Sequence, residues 1–400
     1  SLVGKDGGIH RWAYPEQQAL VEALSLPFTH VQLVLLARLE SFIVRKIILE
    51  KVRARADIGG YVITGLRDTP ITTSGIFDDQ GYFKYVGIEE NFIEFNAPAC
   101  CCSIPGARAS GRTAATAPHR STSSIICRAR WCATALSSAA SHSKFNDAAL
   151  VAASHRCDCG EGDIPVQADD GLQPRNIVSI DLRLPEVETI TLCTLDVELS
   201  SDNKFVQNGW PLWVYPHVTF EDAVLYDPAG ALDGYAPIRG VASLSDLGER
   251  IVITSAYTSD IAAFVRQGGR AIVIQTGAGV LPVERVPFWR EAIKLPYTHP
   301  VIDGFGDAGG LQFYHLATDA AFKPAEVEST IGAPLTPILR RLDARLFTVT
   351  DYLAEASIGV GRLMISTLRF AGGTGDQVVG FASSPAAMYL LSRMIAHLRG

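Results

Sequence analysis

Five places in this chain carry side chains able to do chemistry. His10-Arg11-Trp12 sets an imidazole, a guanidinium and an indole side by side, which can hydrogen-bond and stack a ligand ring. The same trio also suits a loop packed on the rim of a fold. Arg67 and Asp68 follow an apolar run and precede Pro70. They are either functional groups at the mouth of a strand or an ion pair that holds a loop. Glu16, beside Pro15, is a carboxylate in the first turn of an expected helix, where it serves the helix dipole rather than catalysis. Cys157 and Cys159, with His155 and His142, offer metal donors, but their spacing matches no structural zinc pattern. QTGAG (275–279) after an apolar run invites a nucleotide-binding reading. It lacks the G-x-G-x-x-G spacing, and no phosphate-loop lysine follows.

The elements that must position these groups show in the hydrophobic period. Ala19, Leu20, Ala23 and Leu24 make a helical stripe behind Pro15 and Glu16. Apolar positions from Val31 to Arg55 continue with helical spacing, and Asp57-Ile58-Gly59-Gly60 breaks that helix. Tyr61 to Leu66 (YVITGL) reads as a buried strand. Helix followed by apolar strand, with polar residues at the strand's end, is the unit of a (β/α)8 barrel.

Ile177–Leu184, Thr189–Leu199 and Trp210–Tyr215 alternate as short strands, with Asp202-Asn203 as a turn; this predicts a β-sandwich. Near residue 240 the period changes. Ile251–Thr254 and Ala271–Gln275 read as buried strands around a helix from Ser259 to Gln267, capped by Ser259 and stopped by Gly268-Gly269. Strand, helix, strand at this length predicts parallel pairing. Gly361–Phe370 reads as a further strand, and Pro385–Leu398 as a closing helix. The expected fold class is therefore multidomain α/β plus β.

Residues 97–160 differ from the rest. Alanine, serine, arginine, threonine and cysteine make up 43 of these 64 residues, and Asp147 and Asp158 are the only acids. Seven of the eight cysteines fall between Cys100 and Cys159, with Cys193 the exception and most simply a buried small hydrophobe. No sustained period of 3.6 or 2 is apparent. An altered reading frame in a GC-rich gene yields this alphabet; a disordered insertion and a metal or disulfide module are the other readings. The first predicts irregular chain with few regular elements and unpaired cysteines.

Across 400 residues, 48% hydrophobic and 19% charged is a globular mixture with room for several cores. A net charge of −7 argues against a nucleic-acid partner. The most apolar stretch, Val31–Val52, carries Arg38, Glu40, Arg45 and Lys46, too many charges for a membrane span. No signal peptide is visible; the compartment is left open, with a cytoplasmic setting slightly favoured.

Three stretches resemble glycoside hydrolase family 2, the β-galactosidase/β-glucuronidase type. GGYVITGLRDTPITTSGIFDDQGYFKY (59–85) resembles the last barrel strand of that family and the loop after it. NGWPLWVYP (208–216) resembles a tryptophan-bearing strand of a sandwich domain. RQGGRAIVIQTG (266–277), VPFWREAI (286–293) and LRFAGGTGDQ (368–377) resemble a C-terminal domain that looks like a class I glutamine amidotransferase used without its chemistry. The resemblance implies residues 1–95 as the C-terminal part of a (β/α)8 catalytic barrel, 96–160 as an irregular segment, 161–238 as a β-sandwich and 239–400 as the amidotransferase-like domain.

It also implies retaining hydrolysis of a β-linked sugar by two glutamates about 5 Å apart. Both are expected upstream of Ser1, so this chain alone is expected to be inactive. His10, Arg11 and Trp12 would lie in the loop after the seventh strand, and Arg67 and Asp68 at the mouth of the eighth, as substrate-binding residues. Val62-Ile63-Thr64 lacks the tryptophan that accompanies glucuronidase activity. No cysteine follows Cys193, which excludes amidotransferase chemistry. Carbohydrate is the expected partner, with no cofactor, metal, nucleic acid or membrane called for and homo-oligomer formation left open. The alternative is a non-catalytic carbohydrate-binding or oligomerisation module, or an inactive pseudogene product.

Overall fold

A computed structural model describes residues 19, 21–55, 57–69, 74–85, 92, 95–96, 101–105, 110–115, 125–135, 157–166, 175–181, 186–201, 204–232, 234–235, 238–286, 292–305, 312–313, 316–343, 348–371 and 380–400. The fold is mixed α/β, with extended sheets and few helices among the described residues. The chain divides into two compact units, Ser1–Glu186 with Thr191–Val214, and Val187–Ile190 with Tyr215–Gly400.

In the first unit, helix α1 (His30–Arg53) occupies the segment predicted from helical spacing. Thr29 and Gln32 start it with a capping box: the Gln32 amide donates to Thr29 Oγ1 at 3.3 Å, and the Thr29 amide to Gln32 Oε1 at 2.8 Å. Lys51 and Arg53 in the last turn complement the dipole. Phe42 and Leu49 on α1 pack with Ile76, Tyr85, Phe92 and Phe95, with Phe42 edge-on to Tyr85 and Phe95 and Tyr85 stacked on Phe92.

The strand expected at Tyr61–Leu66 does not form, and no barrel occurs among the described residues. Val62 is 89% exposed and Leu66 62%, and Gly65 turns the chain at φ +83°. An apolar run becomes a buried strand only when neighbouring strands accept its backbone groups. Here the Leu66 carbonyl instead takes the amides of Ile76 and Phe77, each at 3.0 Å, which closes a loop on itself.

Seven strands follow in this unit: β1 (Cys101–Pro105), β2 (Ser110–Ala115), β3 (Ile125–Ala135), β4 (Cys157–Val166), β5 (Arg175–Asp181), β6 (Thr191–Ser201) and β7 (Lys204–Val214). They form two antiparallel sheets, β1-β2-β5 and β4-β3-β6-β7. Strands β5, β6 and β7 fall where alternation predicted them, and Leu195 and Val197 are buried.

The expectation of irregular chain through residues 97–160 is corrected. Strands β1, β2 and β3 and the start of β4 lie inside it, and β3 is paired along both sides. Ladders are built from backbone groups that every residue except proline supplies in full, so an odd alphabet does not prevent them. A period of 2 is in fact present in β3: Cys127, Ala129, Trp131 and Ala133 alternate with Arg128, Arg130, Cys132 and Thr134. The expectation of unpaired cysteines falls on side chains outside the described residues.

The second unit carries a ten-stranded mixed sheet. Its strands are β8 (Ala223–Leu225), β9 (Arg239–Gly240), β10 (Ile251–Thr254), β11 (Arg270–Ile274), β12 (Val283–Arg285), β13 (Ile293–Pro296), β14 (Ala320–Phe322), β15 (Thr336–Asp343), β16 (Thr348–Ile358) and β17 (Gly361–Ser366). Helices α2 (Ser259–Arg266), α3 (Pro324–Ile331) and α4 (Pro385–Arg399) accompany them.

Strands β9, β8, β10, β11 and β17 run parallel, as predicted for β10 and β11. An antiparallel half built on β16 completes the sheet. Strand β8 belongs to this unit, although it falls within 161–238. The α2 cap is Thr258 rather than Ser259, its Oγ1 accepting the Ile261 amide at 3.3 Å. Gly361 lets β17 approach α2, since a Cβ there would overlap the Val265 carbonyl. No helix among the described residues is long and apolar enough to cross a membrane.

Candidate functional site

His10, Arg11 and Trp12 lie outside the described residues, as do Pro15 and Glu16. Arg67 and Asp68 sit together in the loop closed by Leu66 and Ile76. Arg67 is exposed and donates from Nε to the Asp79 carbonyl at 3.0 Å. Asp68 is 5% exposed. Its Oδ1 accepts the Gly75 amide at 2.8 Å and an ion pair from Lys84 at 2.7 Å. Burial, ahead of the favourable Asp68 carboxylate, pushes the Lys84 ammonium below its ordinary pKa. Gly75 is required for this approach: a Cβ there would stand 2.5 Å from the Arg67 carbonyl carbon and the Asp68 nitrogen.

Two polar atoms remain unmatched around the Ser74–Gly75 peptide. Asp68 Oδ2 is buried without a hydrogen-bond partner, and so is Arg45 Nε on α1. Arg45 reaches this loop through its other guanidinium nitrogen, which donates to the Ser74 carbonyl. The place thus offers one acceptor and one donor, each wanting a partner.

The motif at 208–216 meets α1. Asn208 Nδ2 donates to Glu50 Oε1 at 2.8 Å, and Trp210 Nε1 to Glu50 Oε2 at 2.9 Å. Lys46 pairs with Glu50 Oε1 at 2.7 Å, donates to Asn208 Oδ1, and lies 5.4 Å from the Trp210 ring centre. All four side chains are buried. The motif residues named from the sequence therefore satisfy a helix carboxylate, and alternation alone could not have identified that partner.

In the second unit, QTGAG closes on its own glutamine. Gln275 Nε2 donates to the Leu281 carbonyl at 2.8 Å, and Gln275 Oε1 accepts the Leu281 amide at 3.1 Å. The glutamine side chain is thereby committed to its own loop. At the carboxyl ends of β8 and β10, the Ser255 hydroxyl donates to Asp227 Oδ1, while Asp227 Oδ2 accepts the Leu232 amide at 2.6 Å.

Sequence reading missed one cluster. His299 after β13, Glu355 on β16, Arg362 on β17 and His397 in the last turn of α4 converge. His299 Nε2 lies 3.1 Å from Glu355 Oε1, and His397 Nε2 lies 2.9 Å from Glu355 Oε2. Arg362 donates from one terminal nitrogen to the His397 carbonyl at 2.7 Å. Its other terminal nitrogen is 2.5 Å from His397 Nε2 and 3.4 Å from Glu355 Oε2. No protein-family model matches the chain, and no curated protein does.

By donor type, His299, Glu355 and His397 could hold a divalent cation. Their hydrogen bonds argue otherwise. His299 Nδ1 accepts the Val301 amide at 3.2 Å, so the proton of the neutral ring sits on Nε2, the atom that faces Glu355. A guanidinium only donates, so Arg362 occupies the His397 Nε2 lone pair. The donor set as folded fits protons. Glu355 titrates at about 2: burial acts upward, but the hydrogen bond from His299 and the charges of both histidines outweigh it. Burial lowers His397 below its ordinary value, against the pull of Glu355.

Proposed function

We propose that this chain is the C-terminal portion of a retaining glycoside hydrolase acting on β-linked sugars, and that both catalytic glutamates lie outside it. In this reading the α1 region with Arg67 and Asp68 derives from the end of the catalytic barrel. The two antiparallel sheets of the first unit make up the sandwich, and the sheet with a parallel half is the amidotransferase-like domain. His10, Arg11, Trp12, Arg67 and Asp68 contribute to holding the sugar.

The observation that carries the reading is the unmatched pair around Ser74–Gly75. Both atoms are buried, so a sugar hydroxyl, donor and acceptor at once, reaches Asp68 Oδ2 or Arg45 Nε only when the Ser74–Gly75 loop moves aside. Neither residue supplies a nucleophile together with a general acid at the spacing the two-step mechanism needs. The expected contribution is therefore binding, not bond cleavage.

Two measurements on the full chain test this. Saturation-transfer NMR with methyl β-glycosides should show binding that Asp68→Asn weakens. Absence of binding across glucosides, galactosides and glucuronides would remove the sugar reading. A panel of nitrophenyl β-glycosides should show no turnover. Turnover abolished by Glu16→Gln would place the nucleophile inside the chain.

A further inference from the structure

We propose that Arg362, Glu355 and His397 form a proton-operated switch on the last turn of α4. The argument is a count of hydrogens. His397 Nε2 makes two close approaches, to an Arg362 nitrogen at 2.5 Å and to Glu355 Oε2 at 2.9 Å. It cannot serve both through one state of the ring. The guanidinium has hydrogens and no lone pair, so towards Arg362 the ring nitrogen must be bare. The carboxylate has lone pairs and no hydrogen, so towards Glu355 the ring nitrogen must be protonated.

With the ring neutral and its proton on Nδ1, the Arg362 nitrogen solves the conflict. Its two hydrogens point one to His397 Nε2 and one to Glu355 Oε2, and it bridges them. With the ring protonated, Nε2–H donates straight to Glu355 Oε2 as a charge-assisted bond. The imidazolium then repels the guanidinium, and Arg362 leaves the ring. The proton that arrives breaks the bond from Arg362 to the His397 ring and forms the direct bond from His397 to Glu355.

The groups that face this centre are few. Glu355 comes from β16 and Arg362 from β17. His299, from the segment after β13, meets Glu355 through its other oxygen and stands edge-on to the His397 ring at 4.7 Å. On α4 itself, Arg393 is drawn off to the Pro300 carbonyl and Arg399 to Asp222. Arg270 donates to the Arg399 carbonyl at 3.0 Å. The last turn of α4 is thus held by Arg362 at His397 and by Arg270 and Asp222 at Arg399. Protonation changes the partner of the ring and leaves the bond from Arg362 to the His397 carbonyl and the hold at Arg399 in place. Glu355 stays ionised throughout the range in which an imidazole titrates, so the carboxylate is always ready to accept. This is a protonation-driven exchange of partners between two arrangements of one site.

Imidazole nitrogen NMR on the full chain, from pH 8 to pH 5, tests it, with His397→Gln to assign the signal. At pH 8 His397 Nε2 should be bare, and it should gain its proton below pH 6.5. Arg362→Met should raise that titration by about one pH unit, the size of shift a neighbouring charge imposes. Glu355→Gln should lower it. A protonated Nε2 at pH 8 overturns the proposal, as does the same titration in the wild type and in both variants. Zinc should leave both histidine signals in place; a joint shift of His299 and His397 on adding zinc shows a metal site instead and also overturns it.

Discussion

Trp210 donates its indole N–H to Glu50 Oε2 at 2.9 Å across 160 positions of sequence, and this bond fixes strand β7 on helix α1. Glu50 is the centre of the arrangement, since it also takes Asn208 and Lys46. Removing it leaves the Lys46 ammonium buried without its carboxylate. Glu50→Ala should therefore cost about 3–5 kcal/mol, the usual consequence of breaking a buried pair. Trp210→Phe keeps an aromatic ring but loses the indole N–H and part of the buried volume, which should cost at least about 1.5–3 kcal/mol, the size of a hydrogen bond to a charge. Urea unfolding followed by circular dichroism measures both; equal costs would show that the bond is not centred on Glu50.

The acid side of the stability curve follows from two shifts in the second unit. Glu355 has a folded pKa of about 2, below its ordinary 4.5, so the unfolded chain binds more protons between those values. Its contribution is present above pH 4.5 and is lost as the pH falls towards 2. His397 is also lowered, from 6.5, so in the window just below 6.5 the unfolded chain again binds more protons. Both make the unit less stable on acidification. Urea midpoints should fall from pH 7.5 to pH 5, and His397→Gln should flatten that slope. A midpoint that rises on acidification contradicts the sign.

Close packing at one glycine gives a sharper test of the α/β unit. A Cβ on Gly361 would overlap the Val265 carbonyl at the end of α2. Backbone, unlike a flexible side chain, cannot swing aside, so Gly361→Ala should cost at least the roughly 1–3 kcal/mol of an overpacked core. Gly332, with open space around its Cβ position but φ +73°, should cost about 1 kcal/mol as alanine, from backbone conformation alone. Thermal melts of the two variants should differ in that order.

These tests also show how far the sequence could be read. Helices α1, α2 and α4 and strands β10 and β11 were legible because their burial patterns are local: the period of a few side chains names the element. Tyr61–Leu66 misled because the same apolar run becomes a strand only if partners pair with it, and its backbone instead folded onto Ile76 and Phe77. Asp68 was legible as a polar residue at a loop, but its partner Lys84 was not. The His299, Glu355 and His397 cluster left no signal at all, since 56 and 42 residues separate its members and each sits in an unremarkable stretch. The antiparallel half of the sheet was missed for the same reason, because β15 and β16 declare themselves only by pairing.

The last prediction concerns residues 97–160, where an altered reading frame was expected to leave no selected pattern. Strand β3 gives a reason to test that part directly. In its register, Arg128 stands between Asp163 on β4 and Glu198 on β6, and Arg130 stands between Glu161 and Asp196. Between them, Ala129 stands opposite Val197, and Trp131 stands opposite Leu195. Cationic positions facing acids and apolar positions facing apolar ones are the matches that stabilise an antiparallel sheet.

A wrong-frame segment has no cause to match acids encoded beyond it. If β3 is a selected strand, Arg130→Glu should destabilise the chain, Asp196→Arg should do likewise, and the double reversal should recover about 0.2–1 kcal/mol of the combined loss. If β3 does not pair in this register, the two losses should simply add. Translation of the underlying DNA in the other two forward frames is the independent check. An alternating, acid-bearing sequence bridging Asn96 to Gly160 in either frame would establish the altered-frame reading and make the β3 register a coincidence. Coupling in the cycle, with no such sequence in either frame, would make residues 125–135 a genuine strand of this sheet.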